Sequence, residues 1–128
     1  MKEVLAFIRI NKINATKRAL LEAGFPSMTC RNCMGRGKQM LPVELADASM
    51  TDGLSDILSS ETFSESIRLI PKRALSMILQ NDDVDKVINI IMDVNSFGNK
   101  GDGKIFVLPV LESIRIRDGE SQDDNETY

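Results

Sequence analysis

The order of apolar and polar positions divides the chain into two similar halves. The run Val4-Leu-Ala-Phe-Ile-Arg-Ile, followed by Asn11, lines up at an offset of 70 residues with Ala74-Leu-Ser-Met-Ile-Leu-Gln, followed by Asn81. Each run leads into a helical pattern. In the second half Val84, Val87, Ile88, Ile91 and Val94 recur at three- and four-residue steps along one helix face, with Asn81 or Asp82 as the cap and acids in the first turn. In the first half Asn11 can cap a helix whose Ile13, Leu20, Leu21 and Ala23 are apolar, and Gly24 is a natural stop.

The apolar runs before both helices are dense enough to be central strands, and each helix is followed by a further strand, Met28 to Met34 and Lys104 to Leu111. The order is therefore β-α-β, a long connection, then β-α-β. Two such units sharing one sheet predict an α+β, ferredoxin-like βαββαβ sandwich, in which right-handed crossovers place both helices on one face. The other face then needs a cover, and with only two helices the expected cover is another copy of the chain in a closed cyclic assembly. Pro109 in the last strand points to an edge or a bulge.

Between about Gln39 and Ile70 the pattern breaks down, and a connection of that length in a compact domain is usually functional. Gly53 and the scattered Ser and Thr argue against a fixed helix over Asp47 to Leu58, so the segment is expected to be mobile until bound. From Asp118 the chain is polar, acidic and aperiodic, and a frayed tail is expected there.

At 128 residues, 42% hydrophobic and 27% charged, the chain suits one domain able to bury roughly two-thirds of its unfolded surface. No stretch has the length of a membrane span, and the first residues lack the layout of a signal peptide, so a cytoplasmic protein without membrane insertion is expected. The absence of His removes the Ser-His-Asp triad and His-based metal sites, and two cysteines cannot complete a four-Cys zinc site in one subunit.

The net charge of -3 conceals an asymmetry. Met40 to Ser66 holds six acids and no base, and Asp118 to Tyr128 holds five acids and no base. The rest of the chain then carries eight acids against sixteen Lys and Arg, a body of formal charge +8. Such a body suits an anionic ligand, although solvated surface charge would leave the same trace.

Two glycine clusters, Met34-Gly35-Arg36-Gly37-Lys38-Gln39 and Gly98-Asn99-Lys100-Gly101-Asp102-Gly103-Lys104, could cradle phosphate oxygens on backbone N–H groups or could be tight turns. Neither is a Walker A loop. In Ile114-Arg115-Ile116-Arg117 strict alternation on a strand would send both arginines to one face, which suits a polyphosphate or a solvated edge. Taken together the three elements favour nucleotide binding. Cys30 and Cys33 form a C-x-x-C whose sulfurs should fall on opposite faces of a strand, with no helix start behind them, so they are read as packing residues.

The stretch Gly101-Asp-Gly-Lys-Ile-Phe-Val-Leu-Pro-Val-Leu-Glu-Ser-Ile-Arg-Ile-Arg-Asp-Gly-Glu120 is similar, almost position for position, to the C-terminal signature of the PII (GlnB-like) nitrogen regulatory signal-transduction proteins. The resemblance runs from Met1 to about Glu120, through Met28-Thr29, the Gly35 to Gln39 turn and Leu69-Ile-Pro-Lys72. Phe7-Ile-Arg-Ile-Asn-Lys, Phe25-Pro-Ser and Met34-Gly-Arg-Gly-Lys resemble the nitrogenase-associated branch, in particular the second of its paired paralogues.

This resemblance implies a PII-type trimer, or a hetero-oligomer with a PII-like paralogue, with ATP or ADP in the clefts between subunits. It implies a single domain over 1–117, a long T-loop over 39–70 and an acidic tail over 118–128. For ATP it implies Phe7, Thr29, Gly35, Gly37, Lys38, Gly101, Asp102, Gly103, Lys104, Arg115 and Arg117. Gln39 would hold a Mg²⁺ bridging ATP and 2-oxoglutarate, with Ile70 beside that acid and Lys72 on its far carboxylate. The T-loop would meet nitrogenase, its dinitrogenase component, through Leu54, Ile57, Leu58 and Phe63. Two departures matter: the only Tyr is Tyr128, so uridylylation of the loop is unavailable, and Lys38 stands where many relatives have Arg, giving a point charge in place of a fork.

The function implied is a nitrogen-status sensor that regulates nitrogenase and is not an enzyme. A regulator of ammonium transport, nitrogen assimilation or transcription, and a slow nucleotide-hydrolysing enzyme with Asp102 orienting a nucleophile, are the alternatives. Nucleic-acid binding ranks last, because RNA-reading sheets want exposed aromatics and this chain has five Phe and one Tyr, mostly in apolar runs.

Overall fold

The computed structural model describes residues 1–37 and 69–122. Lys38, Gln39, Leu54, Ile57, Leu58 and Phe63 lie outside the described residues, as does nearly all of the long connection. By contacts the chain divides into two units, Met1–Cys33 with Pro71–Tyr128, and Met34–Ile70, and each is described by itself.

The described elements follow the expected order. Strand β1 (Lys2–Arg9), helix α1 (Ile13–Glu22), β2 (Thr29–Gly35), β3 (Ile70–Leu79), helix α2 (Val84–Asn95) and β4 (Gly103–Pro109) are followed by two short strands, β5 (Ser113–Ile114) and β6 (Ser121–Gln122). The main sheet has the order β2-β3-β1-β4, so the two apolar runs do form the central strands. Each crossover skips one strand, which is the split arrangement of the ferredoxin-like fold. Pro109 closes β4, and β4 is an edge strand, where a missing N–H costs no ladder bond.

Alternation along the strands explains the two faces. Val4, Ala6 and Ile8 of β1, with Leu75, Met77 and Leu79 of β3, are buried against Ile13 and Leu20 of α1 and Val84, Val87 and Ile91 of α2. Val4, Ile8, Leu20, Leu75, Val87 and Ile91 are each less than 2% exposed, and complete burial of such side chains is worth about 1.5–3 kcal/mol apiece. The opposite face carries Leu5 and Phe7 of β1 with Phe106 and Leu108 of β4, the last two still 42% and 39% exposed.

Four local expectations need correction. Asn11 does not cap the first helix, and neither Asn81 nor Asp82 caps the second. A single 3₁₀ turn (Ile10–Lys12, and Asn81–Asp83) precedes each helix, and the helices start from Lys12 and Asp83 with no side-chain cap. The turns bring Ile13 N–H to the Ile10 carbonyl and Asp83 N–H to the Gln80 carbonyl, so backbone satisfies donors that a cap would have served. Leu21 is 60% exposed, and Thr16 takes the buried position on α1. Cys30 is exposed and only Cys33 is half-buried, so packing does not account for Cys30. Finally, Ile114 to Arg117 is not a continuous strand: β5 ends at Ile114, and the acidic stretch from Asp118 supplies β6, its partner.

The end of α1 behaves as read. Gly24 has φ +88°, its N–H bonds the Leu21 carbonyl, and Phe25 N–H reaches back to Leu20, the paired bonds of a Schellman stop. Phe25 then packs on the core that contains Leu20.

Candidate functional site

The sheet register gathers cations at one end of the open face. Along β1, Phe7 stands between Ala74 of β3 and Lys104 of β4, Ile8 faces Gly103, and Arg9 faces Lys72. Phe7 and Arg9 share a strand face by alternation, and their partners Lys104 and Lys72 share it with them. Phe7 also meets Phe106 edge to face, with ring centroids 6.1 Å apart, and the Lys104 ammonium lies 5.4 Å from the Phe106 centroid.

The loop between α2 and β4 closes over this end. Gly98, Gly101 and Gly103 have φ of +76°, +95° and +124°, so all three need the freedom of glycine. Asp102 organises the loop from within: its Oδ2 accepts from Phe97 N–H at 2.7 Å and Asn99 N–H at 3.2 Å. The Phe97 N–H, followed by that of Asn99, the Arg9 charge and the Gly98 N–H, holds the Asp102 carboxyl below its ordinary value against a burial cost. Its Oδ1 lies 3.3 Å from Arg9 Nη2, near enough for charge attraction but without hydrogen-bond alignment. An acid so engaged does not suit the role of orienting a nucleophile, which weakens the enzyme alternative.

Arg9 is the residue that the sequence reading missed. Its Nε donates to the Gly101 carbonyl at 3.1 Å and its Nη2 to the Lys100 carbonyl at 3.2 Å, while Lys72 Nζ donates to the same Gly101 carbonyl at 3.0 Å. The signal was present, since alternation from Phe7 puts residue 9 on the same face one step nearer the loop.

The remaining candidates fall elsewhere. Thr29 opens β2, on the edge opposite β4, and Gly35 closes it with Gly37 just beyond. Neither Gly35 nor Gly37 has a positive φ, and a Cβ on either would meet nothing within 4 Å, so neither position needs glycine for its backbone or its space, whereas Gly98, Gly101 and Gly103 do for their backbone. Ile70 opens β3. Arg115 sits at the base of the β5–β6 turn, where Gly119 (φ +72°) and the bonds from Gly119 N–H to the Arg115 carbonyl and from Arg115 N–H to the Glu120 carbonyl close the hairpin. The Arg115 Nε donates to Asp118 at 2.8 Å and its Nη2 to Glu120 at 2.7 Å, and Arg117 Nε lies 3.7 Å from Asp118. The two arginines therefore owe their placing to an acidic turn and not to strand alternation.

Glycines on left-handed backbone lie beside Lys72, Lys104 and Arg9, a donor-rich setting of the kind that suits anions, and among the described residues no group of three or more His, Cys, Asp or Glu side chains could hold a metal. Residues 1–120 match the model of the family described as nitrogen regulatory protein P-II. The chain belongs to the PII family. Its sequence is 44% identical over 121 residues to nitrogen fixation nifHD region GlnB-like protein 2 of Methanothermococcus thermolithotrophicus, covering 94% of each chain. It is 42% identical over 124 residues to the protein of the same description from Methanobacterium ivanovii, covering 97% of this chain and 98% of that one. Among solved structures, that of Arabidopsis thaliana PII bound to citrate superposes with a TM-score of 0.66 at 27% identity, covering 95% of this chain and 85% of the plant chain. The PII fold and the likeness to the second of the paired nif-region proteins, both expected from the sequence, are thus established. The family is one of signal-transduction regulators and not a recognised enzyme family. Among the described residues no helix is long and apolar enough to cross a membrane.

Proposed function

We propose that this PII protein senses nitrogen status by binding ATP or ADP together with 2-oxoglutarate, and regulates nitrogenase by direct contact through the segment 39–70. The observation that carries the reading is the convergence of Lys72, Lys104 and the left-handed Gly101 and Gly103 at one end of the open sheet face. Gly101, Gly103 and Lys104 would hold phosphates, with Phe7 beneath the nucleotide and Asp102 fixing the loop. Lys38, Thr29, Gly35, Gly37, Arg115 and Arg117 complete the nucleotide set, part of it from a neighbouring subunit of a trimer or of a hetero-oligomer with a paralogue. The exposed Phe106 and Leu108 support such an assembly, because an apolar sheet face favours burial against another copy.

Lys72, with Ile70 near by, would take the far carboxylate of 2-oxoglutarate. The donor set suits polyanions, and the bound phosphates and keto acid would themselves attract Mg²⁺, with Gln39 as the protein ligand. Mg²⁺ there supplies the charge that lets two anionic ligands share one site. The names of the nif-region relatives support nitrogenase as the partner, and Leu54, Ile57, Leu58 and Phe63 are the proposed anchors in a segment whose acids suit a basic surface.

The test is a nitrogenase assay with the ATP-saturated protein. Inhibition should appear at low 2-oxoglutarate, lift as 2-oxoglutarate rises, and vanish when Ala46 to Ser60 is deleted. Inhibition that survives the deletion or ignores 2-oxoglutarate contradicts the proposal.

A further inference from the structure

A cavity of about 360 Å³ lies on the helix-covered side of the sheet, between α2 and the edge strand β4. Its walls are Ile88, Ile91 and Met92 of α2 with Ile8, Ile105 and Val107 of the sheet. Ile105 and Val107 pair with the core-facing Ala6 and Val4, whereas Phe7 alternates to the opposite face, where the nucleotide is proposed to bind. Lys104 borders the cavity as well, but its ammonium turns to the Phe106 ring on that opposite face. Met92 and Val107 are 51% and 43% exposed, so the cavity opens to solvent along this side.

One polar side chain in the apolar wall has an unmet bond. Asn95 is 6% exposed, and its Oδ1 is buried with no hydrogen-bond partner among the described residues. The amide is locked in this orientation. Its Nδ2 donates to Thr16 Oγ1 and to the Ile91 carbonyl, and Thr16 gives its own hydrogen to the Lys12 carbonyl, so a turned amide would face its oxygen to two acceptors. A buried acceptor without a donor is costly. A single water occupies only about 30 Å³ and needs several polar partners, which suits neither the size nor the apolar walls of this cavity. Asp102 also borders it, but the charge of Asp102 is met by Arg9 and by the Phe97 and Asn99 N–H groups, so the site has little to draw a cation.

We infer that the α2–β4 cavity is a further ligand site, and that it takes a neutral, apolar molecule of one or two rings whose single N–H or O–H donates to Asn95 Oδ1. The volume is at the lower end of the range common for small-molecule pockets, which sets the size of the ligand. The site does not depend on the nucleotide reading, because it lies on the other face of the sheet.

The test titrates the full-length, assembled protein with indole and with indene, which has nearly the same shape but a CH₂ group in place of the N–H, followed by calorimetry and by NMR. Indole should shift the Asn95 side-chain amide and the backbone amides of Ile105 and Val107, and should bind roughly tenfold or more tightly than indene, the size expected when a buried acceptor gains its donor. Met92→Trp, at a half-exposed wall position, should fill the cavity and abolish indole binding. Excess ATP should leave indole bound. The inference is overturned if neither probe binds, which would mean that water or a neighbouring copy of the chain occupies the cavity. It is equally overturned if the two probes bind alike, if indole still binds to folded Met92→Trp protein, or if ATP displaces it.

Discussion

Gly103 lies against the carbonyl of Phe7 so closely that a Cβ at position 103 would overlap the Phe7 oxygen, and its φ is +124°. The close approach lets edge strand β4 pair with β1 right up to the glycine-rich loop before it. Gly103→Ala should therefore cost more than ~2 kcal/mol, because backbone strain and a backbone clash add. Gly98→Ala meets nothing within 4 Å and should cost only the left-handed strain of about 1–2 kcal/mol. Urea denaturation compares the two, and equal losses would refute the close-packing explanation.

Thr16 and Asn95 join the two helices inside the core. Asn95 Nδ2 donates to Thr16 Oγ1 at 3.0 Å and to the Ile91 carbonyl at 2.8 Å, while Thr16 Oγ1 donates to the Lys12 carbonyl at 2.8 Å. Thr16→Val keeps the shape but leaves a buried amide donor without its partner, so a loss of about 1–3 kcal/mol is expected. Asn95→Leu added to it should cost less than the two single losses together, and strict additivity in a denaturation cycle would show that the pair is not coupled.

Asp102 gives a pH dependence with a defined sign. Its carboxyl is held below the ordinary 3.8, chiefly by the Phe97 N–H, so its contribution is fully present above 3.8 and is lost as pH falls through the lower value of the folded protein. The amide resonances of Phe97 and Asn99 should stay constant down to that range and move only below it. Asp102→Asn should remove this titration. Movement of the Phe97 amide at or above the ordinary value would contradict the assignment.

Arg115 and Arg117 differ in setting, with side chains 30% and 78% exposed. If both reach a nucleotide phosphate, Arg115→Ala or Arg117→Ala should each weaken ATP binding by ~2 kcal/mol or more. Calorimetry on the two variants decides this, and unchanged affinity in both would reduce them to members of an acidic hairpin.

Much of the fold could be read directly because burial imposes a period. Val4, Ala6 and Ile8, then Val84, Val87 and Ile91, announce a strand and a helix that each bury one face, and the repeat between halves implies the split sheet. What escaped depends on contacts that periodicity does not encode. The helix entries were misread because a 3₁₀ turn and an Asn cap serve the same donors, and nothing local distinguishes them. The Ile114 to Arg117 alternation misled because its partner strand lies in a stretch too polar to register as a strand. At the site, glycines and lysines stood out by type, but Arg9 did not, since its role comes from the loop folding back onto β1 across more than ninety residues.

If nucleotide and keto acid occupy one shared anion site, as proposed, the affinity for 2-oxoglutarate must depend on ATP and Mg²⁺. Because each ligand would complete the other's site, calorimetry should find 2-oxoglutarate binding strongly enhanced by ATP with Mg²⁺, and ATP binding enhanced to the same degree by 2-oxoglutarate. Equal affinity for 2-oxoglutarate in the presence and absence of ATP and Mg²⁺ would contradict the account.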